Sequence, residues 1–288
     1  MAAFASLARS IPIRRSTRVV ALAHHLVRVV AAATALFAWP TLAPAFAIAL
    51  YFAGFMLTHE LAHGALGLPR RANQLALALA GIATVTSGHA MRVMHLRHHV
   101  HALAPDDLEG APARMTAGQA LVAAPYLALR LVAAAWRAAT ARDRRWHAAE
   151  HLAIAGFAII ALTLGPRALR LYVLVAFANQ LLAPFWAGYL VHRPPRWLVV
   201  VAHHGARAGS LALKTLVVHD AHHARPKLPT YVLVPISRSA GGQTLVRDAG
   251  RPADVERRAA RAAAATCRPS RRRAGAPAAA GGYTPTPW

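Results

Sequence analysis

The sequence predicts an all-α integral membrane protein: about four transmembrane helices in two hairpins, further helices lying in the interface, and a cytoplasmic histidine-rich cap. Three observations carry this expectation. Of the 288 residues, 56% are hydrophobic and only 15% charged, too apolar a balance for an ordinary soluble chain of this length. Four apolar runs, at about 19–39, 41–58, 148–165 and 168–191, approach the roughly 20 helical residues that a hydrocarbon layer about 30 Å thick requires. Almost all Lys and Arg residues fall to one side of these runs. The link "WPTLAP" carries none and the region around "LGPRAL" only Arg167 and Arg170, so the positive-inside rule places the basic side, with both termini, in the cytoplasm.

Residues 1–18 read as a basic N-terminus. Arg14, Arg15 and Arg18 ahead of an apolar run ending in "APAFA" also fit a secretory signal, but the run is longer than a signal core and continues straight into a second span. His24, His25 and Arg28 lie near the cytoplasmic end of the first span, where polar side chains snorkel toward water. Proline and glycine break the helices in "AWPTLAPA" and "LGPRAL", so each pair of spans reads as a tight hairpin. The stretch 75–88 is too short to cross, and 118–136 is interrupted by Pro125 and Arg130; both are expected to lie in the interface or re-enter it. Residues 19–236 then form the membrane domain. A low-complexity basic tail, 237–288, follows, with a short surface helix expected at 252–265 and no chemistry assigned to it. The tail holds the single cysteine, Cys267, which removes any internal disulfide or cysteine metal site. The net charge of +23 is accounted for by anionic headgroups, without a nucleic-acid partner.

The chemistry resides in the histidines. The chain has 17, and eight form three tight groups: His59 and His63 in "HELAH", His95, His98 and His99 in "HLRHH", His219, His222 and His223 in "HDAHH". Taken alone, H-E-x-x-H reads as a zinc-protease helix with Glu60 as base. The other two groups share H-x-x-H-H, which stacks three imidazoles on one helical face within about a turn. One catalytic zinc employs only three protein ligands, so eight imidazoles imply two metal ions. Unpaired polar rings near a bilayer would otherwise be costly. The Asp-Gly pair expected of an intramembrane protease is absent from the sequence.

The set "HELAHG", "HLRHHVH" and "HDAHHARPKLP", with helical hairpins between, resembles the membrane fatty acid desaturase superfamily, which includes hydroxylases and carotenoid ketolases. The similarity covers roughly residues 20–236. It implies a non-haem di-iron centre that uses O2 and two electrons on an unactivated C–H bond of a lipid. By that resemblance the ligands are His59, His63, His95, His98, His99, His219, His222 and His223. A further ligand is expected at the end of the fourth span; His192 in "GYLVHRPP" occupies that place, a segment similar to one in carotenoid ketolases, and His203 and His204 compete for the role. Iron is redox-active where zinc is not, and neutral imidazole binds it well.

Around these ligands several roles stay open. Glu60 and Asp220 are expected to hold the second nitrogen of a ligating imidazole. His101 is expected to be solvated or to stand behind the ligands, and His89 to cap the apolar stretch before it. Asp106, Asp107 and Glu109 form either an acidic turn serving the site or a solvated loop. Asn179, Gln180, Trp186 and Tyr189 either line a substrate passage or serve helix packing. The expected function is an acyl-lipid desaturase. The alternatives are a carotenoid or hydrocarbon hydroxylase or ketolase on the same site, and a non-catalytic metal-binding or transport protein. With no fused "HPGG" segment, electrons are expected from a separate ferredoxin or cytochrome.

Overall fold

The computed structural model describes residues 14–234. Residues 1–13 and the tail 237–288, including Cys267 and the helix expected at 252–265, lie outside them. The described residues form helices joined by turns and loops, without a strand: α1 (Arg15–Ala38), α2 (Ala43–His63), α3 (Arg70–Ala83), α4 (Gly88–His101), α5 (Ala117–Ala138), α6 (Ala141–Thr163), α7 (Arg167–Leu181), a π turn (Pro184–Leu190), α8 (Arg196–Arg207) and α9 (Leu211–Ala224). This is an all-α membrane fold.

α1 and α2 form the first hairpin, joined by Trp39 and the 3-10 turn Pro40–Leu42, where Pro40 ends one helix and starts the next. At one end Ala21 packs with Leu61, Ala62, Leu66 and Leu77. At the other, Leu36, Ala43, Ala47 and Tyr51 meet Ile154, Ala158, Ala161, Val173 and Ala176 of α6 and α7. The alanines let these backbones approach closely, as packing between apolar helices in lipid requires. Tyr172 fixes the depth of α7 by donating to the carbonyl of Ala83 at 2.6 Å. Gly64 closes α2 directly after His63: at φ 63° it takes the left-handed cap that favours glycine, and its N–H returns to Glu60 and Leu61.

Two expectations about the spans need correction. The fourth, read as continuous over 168–191, is bent by 46° between α7 and the π turn. Pro184 has no N–H to continue the ladder, so the helix breaks there. The 118–136 stretch, expected to be interrupted, is one 22-residue helix through Pro125, and is long and apolar enough to cross a membrane, as are α1, the Pro40–His63 helix and α6. Its packing nevertheless suits an interfacial position. α5 and α6 are separated by two residues yet do not pack along each other; α5 lies against α4, α7 and the π turn. One face of α5 is buried through Ala120, Ala124, Leu127 and Ala135. The opposite face exposes Val122, Tyr126, Leu129, Val132 and Trp136, while Arg130 and Arg137 share a third edge, the pattern of a helix lying at a membrane surface.

α4 is held against α6 by a buried polar bracket. Glu150 accepts from the Ser87 hydroxyl, from the His89 amide at 3.2 Å and from His89 Nδ1 at 2.5 Å. The other His89 nitrogen meets Gln74 Oε1 at 2.5 Å, and its ring stacks on Trp146 at 4.6 Å. Arg92 extends the bracket by donating to Gln74 and Asp143. His89 therefore does not cap the preceding stretch; Ser87 is the N-cap of α4, accepting from the Ala90 amide. Of the first-span group, Arg28 reaches back one turn toward the Arg15 end of α1 to donate to His24 at 3.2 Å, the direction expected of a snorkelling side chain, whereas His25 is buried.

Candidate metal centre

Three helices deliver their histidines at their C-terminal turns: His59 and His63 on α2, His95, His98 and His99 on α4, His219, His222 and His223 on α9. A helix C-terminus carries the negative end of its dipole, so three such ends around one volume favour a cation there. His192 arrives from the turn after the π segment, a distortion frequent at functional sites.

The rings gather into two clusters. His59, His63, His95 and His222 bring ligand atoms within 4.8 Å of one another, and so do His98, His192, His219 and His223. His99 lies between: its Nε2 is 3.2 Å from that of His95 and 3.1 Å from that of His222, while its ring stacks on His223 at 4.3 Å. Nitrogens each about 2 Å from a shared ion sit at most about 4 Å apart, so slight inward movement would complete each shell. His59 and His95 already hold their Nε2 atoms 3.0 Å apart, as do His219 and His223. The buried Nε2 of His63 has no hydrogen-bond partner, which fits a lone pair reserved for a metal. The rivals His203 and His204 are exposed on α8, outside both clusters.

Electrostatics keeps most of these rings neutral, the form that binds a metal. Burial, then the neighbouring imidazoles, lowers His99 and His223 to about 2, His222 to about 3 and His192 to about 4. Burial would lower His98 too, but a hydrogen bond to Asp107 and the charges of Glu109 and Asp107 hold it above the ordinary imidazole value.

The acidic turn serves the site. Glu109 accepts from His95 Nδ1 at 2.6 Å and Asp107 from His98 Nδ1 at 2.7 Å. Each carboxylate thereby places the proton on Nδ1 and turns a bare Nε2 toward its cluster. Asp107 is itself fixed by the amides of Leu103 and Gly110. Asp106 instead meets exposed Arg97 at 3.4 Å. Losing Asp107 as Asp107→Ala is expected to weaken metal binding about 10–100-fold, read as the chelator concentration that strips the protein.

The expected roles of Glu60 and Asp220 differ from what the structure presents, and of the two expected for His101 the solvated one holds. Glu60 is buried, but it accepts from the Thr230 amide at 2.8 Å and not from an imidazole. One residue along a helix is about 100° around it, so Glu60 faces the strap after α9 and not the cluster to which His59 points. Asp220 is exposed. His101 is exposed too, 3.9 Å from Asp106. In the fourth span, Gln180 lines a cavity beside the imidazoles and donates to Thr84 O. Trp186 packs edge-on against Phe52, Phe55 and Tyr51 and donates to Asn179 O, and Tyr189 stacks on Phe185.

Membrane helices that converge their ends on paired imidazole clusters define a class of histidine-rich membrane metal-site proteins. The chain belongs to the fatty acid desaturase family, whose model matches residues 37–244. No curated protein and no solved structure matches significantly. Family membership carries an oxidoreductase function of the desaturase or hydroxylase type, a lipid substrate and a place in the membrane.

Proposed function

We propose that the protein is an O2-dependent acyl-lipid desaturase, with two iron ions held by the nine imidazoles and the metal site on the cytoplasmic face. The observation that carries this reading is the division of the rings into two neighbouring clusters, each of a size for one ion, with His99 between them. Bound there, two irons would supply the O2- and electron-dependent removal of two hydrogens from a saturated chain. Over a turnover O2, two electrons, two protons and the two hydrogens taken from the chain become two waters as one C–C single bond becomes double. The electrons come from a separate ferredoxin or cytochrome.

The chain's own residues have defined parts. Asp107 and Glu109 orient His98 and His95 and hold their Nδ1 protons. Phe55, Met94, Leu131 and Ile154 line the adjoining cavity with apolar surface, which positions a hydrocarbon and excludes water. The basic residues on the side of the cap support its cytoplasmic orientation. A carotenoid hydroxylase or ketolase is the second reading, favoured by the segment around His192.

Purified protein is expected to hold two irons per chain, one for each cluster. An active preparation containing only zinc would sink the reading. Expression in a bacterium supplied with saturated lipids and β-carotene, followed by mass spectrometry, separates the outcomes: acyl chains two hydrogens lighter identify a desaturase, and oxygenated carotenoid the second reading.

A further inference from the structure

A cavity of about 340 Å³ adjoins the clusters, bounded on their side by His59, His95, His98 and His219. The lining residues that are also exposed on the outside of the protein mark where it opens. They are Leu129 and Val132 of α5, His151 of α6, and Phe177 and Leu181 of α7. No lining residue from the histidine-bearing ends of α2, α4 or α9 is exposed. The mouth therefore lies between α5 and the α6–α7 hairpin. A gap on the α6 side follows from the packing, because α5 leaves α6 at a two-residue link and rests on α4, α7 and the π turn instead.

Apart from His151, the surroundings of this mouth are hydrocarbon-like. Leu129 is 66% exposed and Val132 46%, and both stand on the apolar outer face of α5 with Val122, Tyr126 and Trp136. Phe177 and Leu181 stand on the spanning hairpin. Large apolar side chains exposed together on such elements face lipid and not water. None of the lining residues is Lys or Arg, so the cavity offers no countercharge to the phosphates of a soluble thioester carrier.

We propose that the substrate is a long hydrocarbon chain already dissolved in the bilayer. It passes sideways between α5 and the α6–α7 hairpin and lays a segment beside the imidazoles; it is not handed over from the cytosol on a soluble carrier. This rests on the acyl-lipid function proposed above and adds to it the route by which the chain reaches the imidazoles. Val132 and Leu129 are the residues that gate the route.

The test uses the intact protein in phosphatidylcholine vesicles containing a phospholipid with a photoreactive group midway along one acyl chain. After illumination, mass spectrometry maps the adducts. Met91 and Met94 line the cavity and neither is exposed on the outer surface, so adducts there report a chain inside. Expected are adducts at both, their loss in Val132→Trp, and their retention in Val122→Trp, which enlarges the same face away from the cavity. The same photoreactive chain supplied as its coenzyme A thioester is expected to leave Met91 and Met94 unlabelled. Adducts confined to outward residues, or equal labelling of Met91 and Met94 by the thioester, overturn the proposal. The comparison of the two probes on the unaltered protein stands whether or not the tryptophan variant folds. Competition by β-carotene in the vesicle would assign the route to a free polyene, and its failure to compete to an esterified chain; either leaves the membrane origin in place. Interior labelling without any oxidised lipid under O2, iron and reductant would overturn the proposed function while the route survives.

Discussion

His98→Ala or His222→Ala is expected to bring lipid oxidation below detection while the chain still inserts in the membrane. His222 belongs to one cluster and His98 to the other, so the two variants test both halves of the site. Each ring is buried, at 1% and 2% exposure, and each removal leaves three imidazoles of its cluster around an incomplete shell. Iron per chain should fall with the activity, whereas membrane flotation and helix content should not, because neither ring belongs to the apolar contacts that hold the hairpins. His203→Ala, on the exposed face of α8, serves as the control and should change nothing. Normal turnover in His98→Ala or His222→Ala would remove that residue from the site. Parallel loss of insertion would show that the ring is structural.

The part of this site most legible in the sequence was its periodicity. Residues at i, i+3 and i+4 share a helix face whatever the fold around them, so the groups ending at His63, His99 and His223 each announce a patch of imidazoles before any packing is known. The carboxylates were harder, for a physical reason. Whether Asp107 and Glu109 are solvated or point back at His98 and His95 depends on how the chain turns after α4. That turn is fixed by the amides of Leu103 and Gly110 meeting Asp107, a tertiary detail no spacing encodes. Glu60 misled through adjacency: a neighbour in sequence is not a neighbour on a helix. The fold shows the same division. Hydropathy marks the helices that can span, but it cannot tell a helix that crosses from one that lies along the surface. For α5 the decision comes from its partners, α4, α7 and the π turn, from the absence of packing along α6, and from the apolar face it leaves exposed.

Glu150 is the residue whose role was least visible. In "RDRRWHAAEHLA" it reads as one more charge on the wet first turns of a helix, and only Ser87 and His89, more than 60 residues earlier, make it an interior group. At 1% exposure beside a His89 ring at 0%, its carboxylate has no route to water. Both nitrogens of that ring face oxygens, Glu150 on one side and Gln74 on the other. Glu150→Ala would remove the acceptor of three hydrogen bonds at once and strand the donors in an apolar interior. Breaking a buried pair from one side costs about 3–5 kcal/mol, a large fraction of a domain's net stability of about 5–15 kcal/mol. The expected result is a pronounced loss of thermal stability in detergent. The histidine clusters should loosen as well, since His95, His98 and His99 ride on the helix that the bracket anchors. Glu150→Gln keeps an acceptor and should lose less. The double variant Glu150→Leu with His89→Phe replaces both partners by apolar groups and should recover much of the stability, because nothing charged is then left unpaired. If Glu150→Ala melts like the unaltered protein, the bracket contributes nothing, and the position of α4 must be set by its apolar contacts through Ala90, Met94 and Ala135.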